Sequence, residues 1–126
     1  MNDVALGLLV AAAAAMGAPC RFALEWAVHR YRPTVTPFGT LLVNASGSLA
    51  LGVVVGLALA HGLDPDVRTV IGTGFLGAYT TFSAYADQTV RRATDGHLHL
   101  ATAYAVGSVV TSVGAAALGL AVVGAW

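Results

Sequence analysis

Lysine is absent from this sequence, and its six basic residues, all arginine, are matched by six acidic ones for a net charge of zero. So little positive charge excludes a nucleic-acid binder, which needs a basic face to neutralise phosphates. Only 10% of the 126 residues are charged, against about a quarter in an ordinary soluble domain. That is too little to cover a hydrated surface. Cys20 stands alone, so an intrachain disulfide framework and a multi-cysteine metal site are both excluded. What fills the chain instead is apolar: 57% hydrophobic residues and a mean hydropathy of +0.77. Disorder is incompatible with that hydrophobicity, and the length fits one domain, residues 1–126, in a lipid bilayer.

A membrane-crossing helix takes about 20 mostly apolar residues, and four runs qualify: approximately 4–28, 37–62, 67–88 and 98–126. The connections between them, 29–36, 63–66 and 89–97, are short. The prediction is an all-α membrane protein, a compact four-helix bundle whose sequence neighbours run antiparallel. Small residues from Ala11 to Ala18 imitate a signal-peptide cleavage region. However, the stretch before them holds Asp3 and no basic residue, and the apolar run is too long, so the segment reads as a retained span.

Helices surrounded by lipid are apolar on every side, so small and polar residues must orient them. Ser48, Gly52 and Gly56 recur every four residues on the second span, and Gly107, Thr111, Ala115 and Gly119 on the fourth. Such ridges let backbones approach closely, and packing is the reading for both. The third span differs, because Gly72, Gly74 and Gly77 run into Thr80-Thr81-Phe82-Ser83. Glycine weakens a helix by about 1 kcal/mol relative to alanine, and Thr and Ser offer competing bonds to backbone. Irregular backbone at membrane depth survives only when buried in protein or lining a wet cavity. A break in the third helix would free carbonyl oxygens of the kind that coordinate Na⁺; the alternative is a Gly-rich packing helix.

Several polar residues need a reason to be in lipid. Asn44 lies about seven residues into the second span, where an unpaired amide costs several kcal/mol. An interhelical hydrogen bond and a pore-lining role are both open for it. Tyr104, Ser108 and Ser112 fall at i, i+4 and i+8 on one face of the fourth span. One membrane serine satisfies itself on its own i−4 carbonyl, but three aligned hydroxyls resemble a wet track. Arg21 sits near the end of the first span, within reach of the interface by snorkelling or of Glu25 one turn on. His97 and His99 do not share a helix face and have no carboxylate cluster beside them, so they read as interface residues. No nucleophile–base–acid set and no phosphate-cradling loop appears, so an enzyme is not expected.

These motifs resemble one family, the Fluc/CrcB fluoride channels. The run Gly74-Phe75-Leu76-Gly77-Ala78-Tyr79-Thr80-Thr81-Phe82-Ser83-Ala84-Tyr85 is similar to that family's Gly-Phe-x-Gly-Gly-x-Thr-Thr-Phe-Ser-Thr-Phe signature. Gly39-Thr40-Leu41-Leu42-Val43-Asn44, followed by Gly47, resembles its Gly-Thr-x-x-x-Asn pattern, and Gly17-Ala18-Pro19-Cys20-Arg21 its arginine segment. The resemblance implies a passive exporter of cytoplasmic fluoride, built as an antiparallel dimer with two pores, multi-pass in the cell inner membrane or plasma membrane. It implies a central Na⁺ on backbone oxygens of Gly77 and Thr80. It implies a fluoride pathway along Asn44, Phe82, Tyr85, Tyr104, Ser108 and Ser112, with Arg21 in the vestibule. Two residues depart from the pattern: Ala78 replaces a glycine, and Tyr85 replaces a phenylalanine.

The chemistry suits a small, strongly hydrated anion. Amide and hydroxyl donors replace its water without the grip of a buried arginine, and aromatic ring edges carry partial positive charge. Arg30, Arg32, Arg91 and Arg92 flank the first and third connections, against only Arg68 on the other side. Under the positive-inside rule those connections face the cytoplasm. A fixed orientation fits a heterodimer with a sibling subunit, and an unbiased one a homodimer. The competing class is a small four-helix cation-coupled multidrug exporter, which needs a membrane-embedded carboxylate. None lies between Val4 and Leu24 or in the second and fourth spans.

Overall fold

The computed structural model describes residues 2–31 and 37–125, all helix and connections, with no strand among them. Helix α1 spans Asp3–Tyr31 and α2 spans Phe38–Ala60. Residues 65–79 form α3, made of an α-helical start Pro65–Thr69, a π-helical stretch Val70–Leu76 and a last turn Gly77–Tyr79. Helix α4 is Phe82–Thr94 and α5 is Leu98–Gly124.

Local chemistry sets the ends. Asn2 Oδ1 accepts the Ala5 N–H at 2.8 Å and starts α1. After α2 the chain turns at Gly62, whose φ of 65° is a conformation glycine adopts freely, and Leu63 N–H reaches back to Leu57 O at 3.2 Å. Asp64 then caps α3 through Oδ1, accepting from Asp66 and Val67 N–H at 2.8 and 3.2 Å, with Pro65 in the first turn.

Three helices, α1, α2 and α5, are long and apolar enough to cross a membrane. Four spans were expected, and the third is the one that differs. The third run, expected over 67–88, is divided between α3 and α4, with Thr80 and Thr81 extended between them. It also continues to Thr94, where a connection was expected from residue 89. Arg91 Nε donates to Asp87 Oδ2 at 2.8 Å, one turn apart, so helix persists after apolar character fades. Helix α1 similarly runs on to Tyr31, its Arg30 stacked on Trp26. Arg32 and Trp126 lie outside the described residues.

The tightest pairing sets α2 against α5, and the two run parallel, since Gly52 meets Ala116 and Gly56 meets Val123. A Cβ on Gly52 would run into the Ala116 carbonyl oxygen, and one on Gly119 into that of Leu49. Of the two expected ridges, the one on α2 packs at Gly52 and Gly56. The one on α5 holds only in its second half: Gly119 is buried and Ala115 half-buried, while Gly107 and Thr111 face outward and Ala101, Tyr104 and Ser108 take the buried face there. Tyr104 and Ser108 are polar but packed inward, and the apolar pattern alone does not place them there. Phe22, Leu8, Leu59 and Val110 are exposed around the outside, the surface expected of a chain solvated by lipid.

Candidate functional site

The Thr80–Thr81 stretch is held in place by α2. Thr81 N–H donates to Asn44 Oδ1 and Asn44 Nδ2 donates to Thr81 O, each at 2.8 Å. One side-chain amide thereby satisfies both backbone groups of a residue that has left the helix, which is what buried backbone requires. Gly47, one turn further along α2, permits the approach, since a Cβ there would collide with the Thr80 methyl group. Ser46 and Tyr79 add a hydroxyl contact of 2.9 Å alongside.

These bonds redirect two N–H groups. In a continuous helix the Thr81 N–H would reach Gly77 O, and the Ala84 N–H would reach Thr80 O. The first goes to Asn44 instead, and the second goes to Thr81 Oγ1 at 3.2 Å as the N-cap of α4. The Gly77 and Thr80 carbonyls are thus released from their helical donors. Leu76 O, by contrast, accepts both the Thr80 N–H and Oγ1–H at 2.9 Å.

A cavity of about 380 Å³ opens beside this stretch, between α2, α3, α4 and α5. It gathers seven of the nine expected site residues: Asn44, Gly77, Thr80, Phe82, Tyr85, Ser108 and Ser112. Ser108 is only 5% exposed, and its Oγ has no hydrogen-bond partner among the described residues. The Phe82 ring is 78% exposed and lies 5.5 Å from Tyr85, which lies 5.8 Å from Tyr104. Tyr85 Oη donates to Ala105 O at 3.3 Å, so the hydroxyl that the sequence adds is spent on the α5 backbone. Ala78 falls in the helical turn Gly77–Tyr79, and no non-glycine residue has positive φ among those described, so alanine is tolerated there without backbone strain.

Two expected residues lie elsewhere. Tyr104 is buried one turn before Ser108 and lines neither this cavity nor its polar neighbour, its ring 5.1 Å from the Arg92 guanidinium. Arg21 is half-buried on α1 and its Nε has no hydrogen-bond partner among the described residues; Glu25 takes the Thr40 hydroxyl at 3.1 Å rather than pairing with it. A second pocket of about 410 Å³, lined by Glu25, His29, Thr40, Gln88, Arg91 and Arg92 among others, lies at the arginine-rich end. Sequence reasoning missed Thr40, Gln88 and Glu25 as one cluster, because they sit on three different helices. The usable signal was Gln88 itself, a bulky amide three residues after Tyr85.

Residues 8–120 match the model of the family described as CrcB-like protein, Camphor Resistance (CrcB). The chain is 46% identical over 120 residues to Fluoride-specific ion channel FluC 1 of Frankia casuarinae, covering 90% of this chain and 92% of that one. It is 42% identical over 113 residues to the protein of that name from Leifsonia xyli subsp. xyli, covering 90% and 82%. With Fluoride-specific ion channel FluC 2 of Nitrobacter hamburgensis the identity is 41% over 117 residues, covering 92% and 94%.

Proposed function

The chain belongs to the CrcB family, and we propose that it is a fluoride-selective channel of the cell membrane whose ions pass along the cavity beside Asn44. The observation that carries this reading is Ser108: a buried hydroxyl with no hydrogen-bond partner among the described residues, on the lining of a cavity in a protein otherwise built for lipid. An unspent neutral donor is costly to bury, and an anion that accepts from it removes the cost. Asn44 has a second Nδ2–H beyond the one given to Thr81, and Ser112 adds another hydroxyl. The Phe82 and Tyr85 ring edges supply partial positive charge without a fixed cation. Such a lining replaces hydration while still letting the ion leave. The flow is passive, and fluoride accumulated in the cytoplasm leaves down its gradient.

The two-residue interruption after Tyr79 is the functional break of the third helix in this reading, and a Na⁺ would sit on the Gly77 and Thr80 carbonyls. Those oxygens fit a hard monovalent cation, having lost their helical donors. No group of three His, Cys, Asp or Glu side chains occurs among the described residues, and this reading assigns the ion to the released carbonyl oxygens. When bound, the ion supplies a fixed positive charge near the anion path. The exposed Phe82 supports an antiparallel dimer in which a second chain covers the open side of the cavity. The arginine-rich end carrying Arg30, Arg91 and Arg92 faces the cytoplasm, Arg21 belongs to the vestibule, and Tyr104 continues the pathway past Ser108.

The deciding measurement is ion efflux from liposomes holding the purified chain alone, read by fluoride and chloride electrodes. Rapid fluoride and negligible chloride release is the expected result, and it also makes a homodimer sufficient. Equal chloride release overturns fluoride selectivity. Fluoride release only after a sibling subunit is added makes the channel a heterodimer. Tyr85→Phe is expected to leave efflux equal or faster, because the lost hydroxyl points at Ala105 O and the ring edge remains. Complete loss of transport would show that the hydroxyl, not the ring, serves the pathway.

A further inference from the structure

One hydrogen-bonded chain crosses the bundle in a single direction. Tyr104 Oη donates to Gln88 Oε1 at 2.9 Å, Gln88 Nε2 to Thr40 Oγ1 at 2.9 Å, and Thr40 Oγ1 to Glu25 Oε1 at 3.1 Å. It links α5, α4, α2 and α1 in that order. The last member dictates the direction, because a carboxylate only accepts. Thr40 gives its one proton to Glu25, so its oxygen must accept from Gln88. That requirement orients the Gln88 amide with nitrogen toward Thr40 and oxygen toward Tyr104, and it makes Tyr104 the donor. Thr40 is 3% exposed, so water does not compete at the centre of the relay.

The relay lies between the two cavities. Thr40 is one turn before Asn44, Gln88 one turn after Tyr85, and Tyr104 one turn before Ser108, while Asn44, Tyr85 and Ser108 all line the central cavity. Glu25, Thr40 and Gln88 line the pocket at the arginine-rich end. An ion moving from one cavity to the other meets this layer, and the direction of its bonds decides what the ion is offered. As built, the Tyr104 proton is turned toward Gln88 and away from an anion.

We propose that Glu25 is a positioning residue for the pathway: its carboxylate, acting through Thr40 and Gln88, withholds the Tyr104 proton from passing fluoride. The inference rests on reading the chain as a fluoride channel. The consequence is weak binding at this layer, which favours release over retention. Glu25→Gln replaces an obligate acceptor with a group that also donates. Its amide can then give a proton to Thr40, Thr40 to Gln88, and Gln88 to Tyr104, leaving the Tyr104 hydroxyl free. An anion beside Tyr104 selects that reversed order and gains a charge-assisted hydrogen bond.

The test reconstitutes the full chain in liposomes and measures fluoride flux against fluoride concentration. Glu25→Gln is expected to lower the half-saturating concentration about tenfold, the scale of one hydrogen bond to a charged group. The double variant with Tyr104→Phe should keep the Tyr104→Phe value. An unchanged half-saturation, or the same shift in the Tyr104→Phe background, overturns the relay. A second readout is independent of transport. The tyrosine Raman doublet, taken as the difference from Tyr104→Phe, distinguishes a phenol committed as donor from one that accepts. With sodium fluoride present it should change from donor-only to combined donor-and-acceptor character in Glu25→Gln, and likewise in Thr40→Val, which cuts the relay while leaving the Glu25 carboxylate in place. A signal unmoved in both variants refutes the relay. Absence of fluoride flux in the wild-type chain strikes instead at the channel reading, and the Raman result still decides the relay.

Discussion

Asn44→Ala is expected to reduce fluoride efflux from liposomes by about a hundredfold or more, because the amide holds both backbone groups of Thr81. Truncation leaves a half-buried N–H and C=O without partners, each costing up to about 1–3 kcal/mol. The interruption after Tyr79 then has a cheaper option, which is to close toward continuous helix by returning the Thr81 N–H to Gly77 O. That closure removes a carbonyl from the proposed cation site and rotates Phe82 and Tyr85 together, since both follow the joint. A disturbance of about 3 kcal/mol in the pathway corresponds to roughly a hundredfold in rate. Asn44→Asp separates holding from lining: it keeps an acceptor for the Thr81 N–H but loses the donor to Thr81 O and adds a negative charge facing the anion. It should therefore fail to restore flux. Wild-type efflux in Asn44→Ala would demote the residue to packing.

The second large effect is structural. Gly52→Val is expected to cost at least about 3 kcal/mol, because overpacking alone costs up to about that much and here the obstacle is backbone. The added Cβ meets the Ala116 carbonyl oxygen, which cannot move aside as a side chain could. The α2–α5 pair must part, and it is the pair that carries Asn44 on one member and Ser108 on the other. Size-exclusion profiles and thermal melts in detergent would read this as aggregation or a much lower Tm. Gly7→Ala provides the contrast, since nothing lies within 4 Å of the new methyl and stability should stay within about 1 kcal/mol of the original. A well-behaved Gly52→Val protein would show that the two helices pack more loosely than drawn.

Residue type and spacing made some of this legible and left some hidden, for physical reasons. The bilayer demands long apolar helices, so α1, α2 and α5 could be read from composition alone. The Gly77–Ser83 stretch also announced itself, because glycines and hydroxyls together at membrane depth have few uses. Helix ends were misplaced where hydropathy and hydrogen bonding diverge: Arg91 and Asp87 mark the edge of the apolar zone and yet continue the helix. The α5 ridge was drawn through Gly107 on the assumption that the smallest residues pack inward. In a lipid-facing helix, small residues can equally well face out, and the buried face went to Tyr104 and Ser108. Beyond the lone amide of Gln88, nothing in the sequence pointed to the Glu25–Thr40–Gln88–Tyr104 relay. Each member is ordinary in its own segment, and only the tertiary arrangement gives the four a common direction.

The π-helical stretch Val70–Leu76 bears on how the chain tolerates changes of length. In ordinary α-helix, deleting one residue turns everything downstream by about 100°, which would re-aim the Gly77 carbonyl. A π turn closes over one residue more than an α turn, so this stretch carries a surplus. Losing a residue there lets the backbone relax into α-helix while the flanks keep their phase. The helix with the strictest demands on orientation thus contains its own slack, placed directly ahead of the residues that must not rotate.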